Sequence, residues 1–280
     1  MMKTKGVIPI NKPNGWTSFD VVNKLKHQLK PLKVGHLGTL DPMATGVLLV
    51  TVGKATKLFD LMQEKSKTYV AEFEFGYETN TLDSTGEKIG ESSNIPTLED
   101  IESVLKDFVG EIEQIPPKFS AKSVNGKRAY DLARNNVEFE LKAKRVKIYG
   151  IEILSFENAK LTLKIECGSG TYIRSIGRDI GYKLNSLATM TKLERTQIGK
   201  FNVNDCIKIE EFDLEKIVPV SDILEYPKIL LDDDDKRKIL NGLKIKTDLT
   251  DGLYQLKDEI DTIAIVKICD FYAKMHIFMG

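Results

Sequence analysis

Residues 33–50, KVGHLGTLDPMATGVLLV, restrict the possible folds more than any other part of this chain. A loop with three glycines, one histidine, one aspartate and one proline runs straight into an apolar stretch of strand length, residues 47–52. A short apolar run bounded by turn residues reads as a buried strand, so one end of the loop is anchored in a core. Pro42 biases the residue before it, Asp41, away from the helical region and toward extended backbone. Gly35, Gly38 and Gly46 allow strained dihedrals and a close approach of a planar ligand to the main chain. Residue by residue, Asp-Pro among glycines is a turn. As one string it is a carboxylate on a stiffened loop that feeds a buried strand.

Local signals elsewhere build a chain of mixed helices and strands. Residues 6–10 read as a strand, and NKPNGWTS as a turn whose Thr17 or Ser18 caps a helix running to about Leu29. That helix aligns Val22, Leu25 and Leu29 and turns Lys24, Lys26 and Lys30 outward. Residues 67–76 alternate, with Tyr69, Ala71, Phe73 and Phe75 on one face, the pattern of a half-buried strand. Residues 79–90 read as a loop or hairpin connection, and residues 97–108 as an amphipathic helix capped by Thr97 with Asp100 three residues on and ended by Gly110. Strands at about 146–156 and 160–167 lead through a glycine turn into a helix with Ile173, Ile176, Ile180 and Leu184 at helical spacing. Composition shifts after Pro219, where an Asp run at 232–235 opens a solvated helix and short strands follow.

The length of 280 residues allows one large domain, or a large one with a small appendage. No apolar run approaches the ~20 residues that cross a bilayer, and MMKTKGVIPI lacks the apolar core of a signal peptide, so a cytoplasmic protein without membrane attachment is expected. Cys167, Cys206 and Cys269 lie far apart with no CxxC, which indicates neither a disulfide framework nor a metal site. The glycines match neither GxGxxG nor GxxxxGK[ST], so no nucleotide cofactor is implied. The net charge of zero hides an uneven distribution. Residues 1–60 and residues 118–147 each carry nine basic residues against three acidic ones, a net of +6, and an acidic stretch lies between them. Two such blocks suit contact with a phosphate backbone. The second block interleaves Lys122, Lys127 and Arg128 with Phe119 and Tyr130, a combination suited to RNA backbone and splayed bases.

GHLGTLDPMATG closely resembles the signature motif of the TruB-type tRNA pseudouridine synthases, in which the aspartate of G-H-x-G-x-L-D-P is catalytic. Further motifs support the resemblance: Lys12-Pro13-x-Gly15, Lys67-Thr68-Tyr69, the 116–130 stretch through Pro116, Ser120, Ala121, Gly126 and Tyr130, GTYIR at 170–174, and Leu193-Glu194-Arg195-Thr196. The resemblance implies an α+β fold, with a catalytic domain over residues 1–225 built on a mixed, largely antiparallel sheet flanked by helices. It also implies an RNA-gripping insertion at about 116–147 and a small β-rich, PUA-like module over residues 226–280. Asp41, Tyr69 and Arg174 are then the catalytic residues, Arg174 pairing with the aspartate. The substrate-binding set is Lys12, His36, Asp83, Tyr172, Leu193, Arg195, Lys122, Lys127, Arg128 and Tyr130. The chain departs from the family pattern at Asn80, where Thr-Asp-Thr is usual, and at Glu194, where L-R-R-T is usual. No role requiring charge carries over to Asn80, and a backbone contact made by the usual arginine does not carry over to Glu194.

The residue types agree with the implied reaction. Glycosidic hydrolysis ordinarily needs two carboxylates, whereas these motifs offer one Asp, one Arg, tyrosines and a histidine. That set fits an isomerisation in which uracil leaves C1′ through N1 and returns through C5, with no water, metal or cofactor consumed. The expected substrate is a uridine in the T arm of tRNA, conventionally position 55, acted on by a monomer without guide RNA. Two rivals are a guide-RNA-dependent synthase of the dyskerin type, whose usual extensions this chain lacks, and a tRNA-folding chaperone in which catalysis is incidental.

Overall fold

The strand expected after the aspartate loop forms as Thr45–Val52 and lies inside a nine-stranded sheet. The computed structural model describes residues 4–124, 126–135, 137–257, 259 and 261–279. The main path of the sheet runs Gly6–Lys12, Thr45–Val52, Ala188–Ile198, Lys67–Phe75, Lys160–Cys167, Lys144–Glu157 and Gly110–Gln114. Neighbours are antiparallel except at one seam, where Glu194 and Arg195 pair in parallel with Thr45 and Gly46. The architecture is therefore α+β, with a mixed and largely antiparallel sheet.

Local chemistry explains the flanking helices. Thr17 accepts the N–H of Asp20 and Asp20 accepts the N–H of Thr17, a reciprocal cap that starts the helix Ser18–Gln28. Its apolar stripe, Val21, Val22 and Leu25, packs with Ile8, Ile10, Leu48 and Val50 on one face of the sheet. The alternation of residues 67–76 is realised in Lys67–Phe75, whose Tyr69, Ala71, Phe73 and Phe75 are all buried. They meet Ile173, Ile176 and Ile180 of the helix Ile173–Lys183 and Ile101 and Leu105 of the helix Leu98–Leu105. The expected connection at 79–90 is a hairpin, Tyr77–Thr79 pairing with Lys88–Glu91.

The C-terminal region forms a five-stranded sheet in the order Lys228–Ile229, Gly252–Lys257, Thr262–Cys269, Tyr272–Phe278, Ile245–Lys246, with the helix Asp233–Leu240 started by the Asp232 cap. The sheet is compatible with a PUA-like module. It is joined to the larger sheet by shared packing: Ile265 and Met279 belong to the same apolar cluster as Val7, Val47, Leu49 and Ile198. Lys5 adds hydrogen bonds to the carbonyls of Thr262 and Met279 at 2.7 and 3.1 Å.

The parallel seam depends on Gly46. Its φ is +101°, and a β-carbon there would stand 2.2 Å from the Arg195 carbonyl oxygen. Gly46→Ala is therefore expected to lower stability by about 2–3 kcal/mol. The check is a urea titration beside Gly150→Ala, where a β-carbon meets nothing within 4 Å. Equal midpoints for the two variants would contradict this account of the seam.

Candidate active site

Strand register lines up the site. Lys12 pairs with Gly46, Gly46 with Arg195, Arg195 with Tyr69 and Tyr69 with Ile165, one row across five strands. The loop carrying Asp41 is held by two members of this row, Lys12 and Arg195. On one side the Lys12 ammonium donates to the carbonyls of Pro13, Trp16 and Pro42 at 2.9, 2.6 and 3.2 Å, and Gly15 N–H donates to Pro42 at 2.8 Å. Ser18 Oγ accepts the Leu40 N–H at 2.8 Å. On the other side the Arg195 guanidinium donates to the carbonyls of Val47, Thr39 and Gly38 at 2.8, 3.4 and 3.2 Å.

Between these anchors Asp41 meets Arg174 in a bidentate pair: Nε lies 3.0 Å from Oδ2 and Nη2 lies 3.1 Å from Oδ1. Arg174 has no idle nitrogen. Nη1 donates to the Thr81 carbonyl at 2.8 Å and lies 3.5 Å from Asp83 Oδ2, and Nη2 also donates to the Phe119 carbonyl at 3.0 Å. Asp83 is in turn held by Thr81 and Thr85. Asp41 keeps about a third of its side-chain surface open, 32%, while Arg174 shows 7%. The carboxylate is thus partly open to solvent while its guanidinium partner is buried.

Electrostatics follow from this burial. Desolvation pushes the Asp41 carboxyl above its ordinary value, and the Arg174 guanidinium opposes it. Burial also raises the Tyr69 phenol, with Arg195 beside it pulling the other way. Lys12 falls to about 8 by desolvation, partly offset by Asp41. Burial holds the His36 imidazole below its ordinary value, which favours the neutral ring.

The structure brings Asp41, Tyr69, Arg174, Asp83 and Leu193 together, with Leu193 and Tyr69 in one apolar cluster with Leu40. Tyr172 is half-buried at the start of the Arg174 helix. Two members of the expected substrate-binding set lie inside the protein. Lys12 is 0% and Arg195 1% exposed, and their donors are directed to main-chain carbonyls. Neither presents a free face to a ligand; both hold the Asp41 loop. In the insertion, Lys127 and Arg128 are exposed, Lys122 is half-buried, and Tyr130 packs edge-on to Phe119 with Arg134 over its ring. These residues reach the centre through the Phe119 carbonyl on Arg174.

The motifs do not reveal every partner. The carbonyls of Thr81 and Phe119 are main-chain groups that no side-chain pattern encodes. Among the described residues, His36 Nδ1 and Ser120 Oγ are buried polar atoms with no hydrogen-bond partner. Ser120 follows Phe119 directly, so one of these orphans adjoins the Arg174 centre.

A partly exposed carboxylate on a fixed guanidinium, beside a buried phenol on this α+β sheet, suits a pseudouridine synthase, and comparison with known proteins shows that class. Residues 26–173 match the family described as TruB family pseudouridylate synthase, N-terminal domain. The chain is 44% identical over 282 residues to the tRNA pseudouridine synthase B of Clostridium kluyveri, covering 96% of this chain and 98% of that protein. It is 48% identical over 210 residues to the protein of that name from Ureaplasma urealyticum, covering 74% and 92%. Among solved structures it is similar to a crystal structure of a Cbf5-Nop10-Gar1 complex, with a TM-score of 0.74 and 26% identity over 99% of this chain and 86% of that one. The chain belongs to the TruB family of pseudouridylate synthases. Among the described residues, no helix is long and apolar enough to cross a membrane.

Proposed function

We propose that this protein converts a uridine in the T loop of tRNA, conventionally position 55, to pseudouridine as a standalone enzyme without guide RNA. The observation that carries the reading is the bidentate pair between a partly exposed Asp41 and a buried Arg174. Relatives named for tRNA at 44% and 48% identity support the substrate.

The reaction breaks C1′–N1 and forms C1′–C5; the C5 proton leaves and N1 regains one, so the product is an isomer. Asp41 acts at the ribose, as nucleophile or as base, and needs its carboxylate form for either. Arg174 keeps it ionised and aimed against the desolvation of burial. Tyr69 stacks on the uracil and stands where the C5 proton departs, and Leu193 forms the apolar wall. The uridine must leave its stack, at a cost of a few kcal/mol offset by contacts elsewhere. His36 occupies the opened arm. The exposed bases at Lys127 and Arg128, with Tyr130, grip the RNA backbone.

The test is tritium release from an unmodified tRNA transcript labelled at uridine C5, with the product mapped. Stoichiometric release from the T-loop uridine, by protein alone, is expected. Tight tRNA binding with no release would favour a folding role or a missing guide RNA.

A further inference from the structure

The root of the insertion is bonded to the helix that carries Arg174. Gln114, the last residue of the edge strand Gly110–Gln114, is 1% exposed. Its amide spends both ends on one residue: Oε1 accepts the Tyr172 N–H at 2.8 Å and Nε2 donates to the Tyr172 carbonyl at 3.1 Å. The Ile115 carbonyl then accepts Ser175 Oγ at 2.9 Å and Arg178 Nη2 at 3.0 Å. Phe119 closes the series through its carbonyl, 3.0 Å from the Arg174 nitrogen that also reaches Asp41.

Tyr172 is the extended residue at which the helix Ile173–Lys183 begins, and no side chain of its own caps that end. A primary amide that pairs with both the N–H and the C=O of one residue copies the pairing of a neighbouring strand. It fixes the two peptide planes that flank Tyr172. Arg174 is two residues downstream, and its bidentate geometry tolerates little rotation of the backbone that bears it. The side-chain hydrogen bonds of Gln114 go to Tyr172 and not to Asp41, so it acts through this helix start.

We propose that Gln114 is a positioning residue for the isomerisation, an amide clamp that docks the root of the insertion on the start of the Tyr172–Arg174 segment and so aims Arg174 at Asp41. Engagement of RNA by the insertion and alignment of Arg174 are thereby one mechanical unit. The proposal rests on the functional reading above.

The test uses the full chain and the C5-tritiated transcript, under single turnover at saturating enzyme. Gln114→Leu removes both bonds at similar volume, and Gln114→Glu keeps the acceptor for the Tyr172 N–H. Gln114→Leu is expected to slow the chemical step about 10–100-fold and to change the tRNA dissociation constant by no more than about threefold. Gln114→Glu is expected to fall between Gln114→Leu and wild type. The acidic limb of the rate profile should move upward in both variants. Asp41 is faced by Arg174, Asp83 and Lys12, and the substitutions loosen the first while leaving the other two. Wild-type rates in both variants would overturn the proposal. So would losses of rate matched by equal losses of tRNA affinity with the acidic limb unmoved, which would mark a purely architectural role. Should Gln114→Leu fail to fold, Gln114→Glu decides on the same readouts. A wild type that releases no tritium overturns the functional reading and this proposal together, whereas an active wild type with unaffected variants overturns this proposal alone.

Discussion

Asp41→Asn is expected to lower the single-turnover rate of tritium release by at least about 10⁴-fold, the scale seen when one indispensable group of a catalytic set is removed, while tRNA binding persists. Asparagine keeps the shape of the side chain and one carbonyl oxygen, so one of the two hydrogen bonds from Arg174 can remain. It lacks the charge needed to attack or to take a proton at the ribose. The fold should survive. The ionised Asp41 is already disfavoured by burial, since its carboxyl is raised above the ordinary value, so loss of the charge relieves desolvation as well as removing an ion pair. Arg174 also retains Asp83 and the carbonyls of Thr81 and Phe119. Unfolding midpoints and filter-binding affinities near wild type, with release abolished, are the expected result. Residual release within about 100-fold of wild type, a difference of only about 2.7 kcal/mol in barrier, would remove Asp41 from its assigned role.

Arg174→Met should damage both stability and rate. The guanidinium is 7% exposed and stands between two carboxylates, Asp41 and Asp83. Removing it leaves both facing a neutral side chain, and breaking a buried pair in this way destabilises by about 3–5 kcal/mol. The pH dependence separates the two effects. Arg174 opposes the desolvation that raises the Asp41 carboxyl, so its loss raises that carboxyl further. A smaller fraction is then ionised at a given pH, and the acidic limb of the rate profile shifts upward, with partial recovery as pH increases. Stability moves the other way. A carboxyl with a folded-state pKa above its unfolded value binds more protons in the native state between the two values, so unfolding free energy falls as pH rises through that window. Rate and stability of the variant should therefore diverge with increasing pH. Arg174→Lys, which keeps a point charge but not the planar fork, should restore more stability than rate. A wild-type acidic limb in Arg174→Met would sink the argument that this cation holds Asp41 ionised.

The elements of the fold were largely legible in the chain because their causes are local. Thr17 with Asp20 and Thr97 with Asp100 cap their helices within three residues. The alternation at Tyr69, Ala71, Phe73 and Phe75 marks the buried face of a strand without reference to anything else. The GHLGTLDP string was informative for a different reason, its resemblance to a family motif, and that resemblance supplied the pairing of Asp41 with Arg174 across 133 positions. The roles of Lys12 and Arg195 were harder to read. The motif resemblance placed both in the substrate-binding set, with support of the aspartate loop as a further role; only the folded sheet shows both turned inward onto the carbonyls of that loop.

By itself the sequence determined which segments become helix and strand, which faces are apolar, and the presence of one carboxylate in a glycine-rich loop, because periodicity, capping and backbone bias act over a few residues. Tertiary structure alone decided that Gln114 clamps Tyr172 at a separation of 58 residues, that main-chain carbonyls of Thr81 and Phe119 complete the shell of Arg174, and that Ile265 and Met279 share a core with Val7 and Leu49. Such contacts join groups that have no pattern in common. A buried amide or guanidinium takes whichever polar group the assembled sheet brings within about 3 Å, because leaving it unpaired away from water is worse.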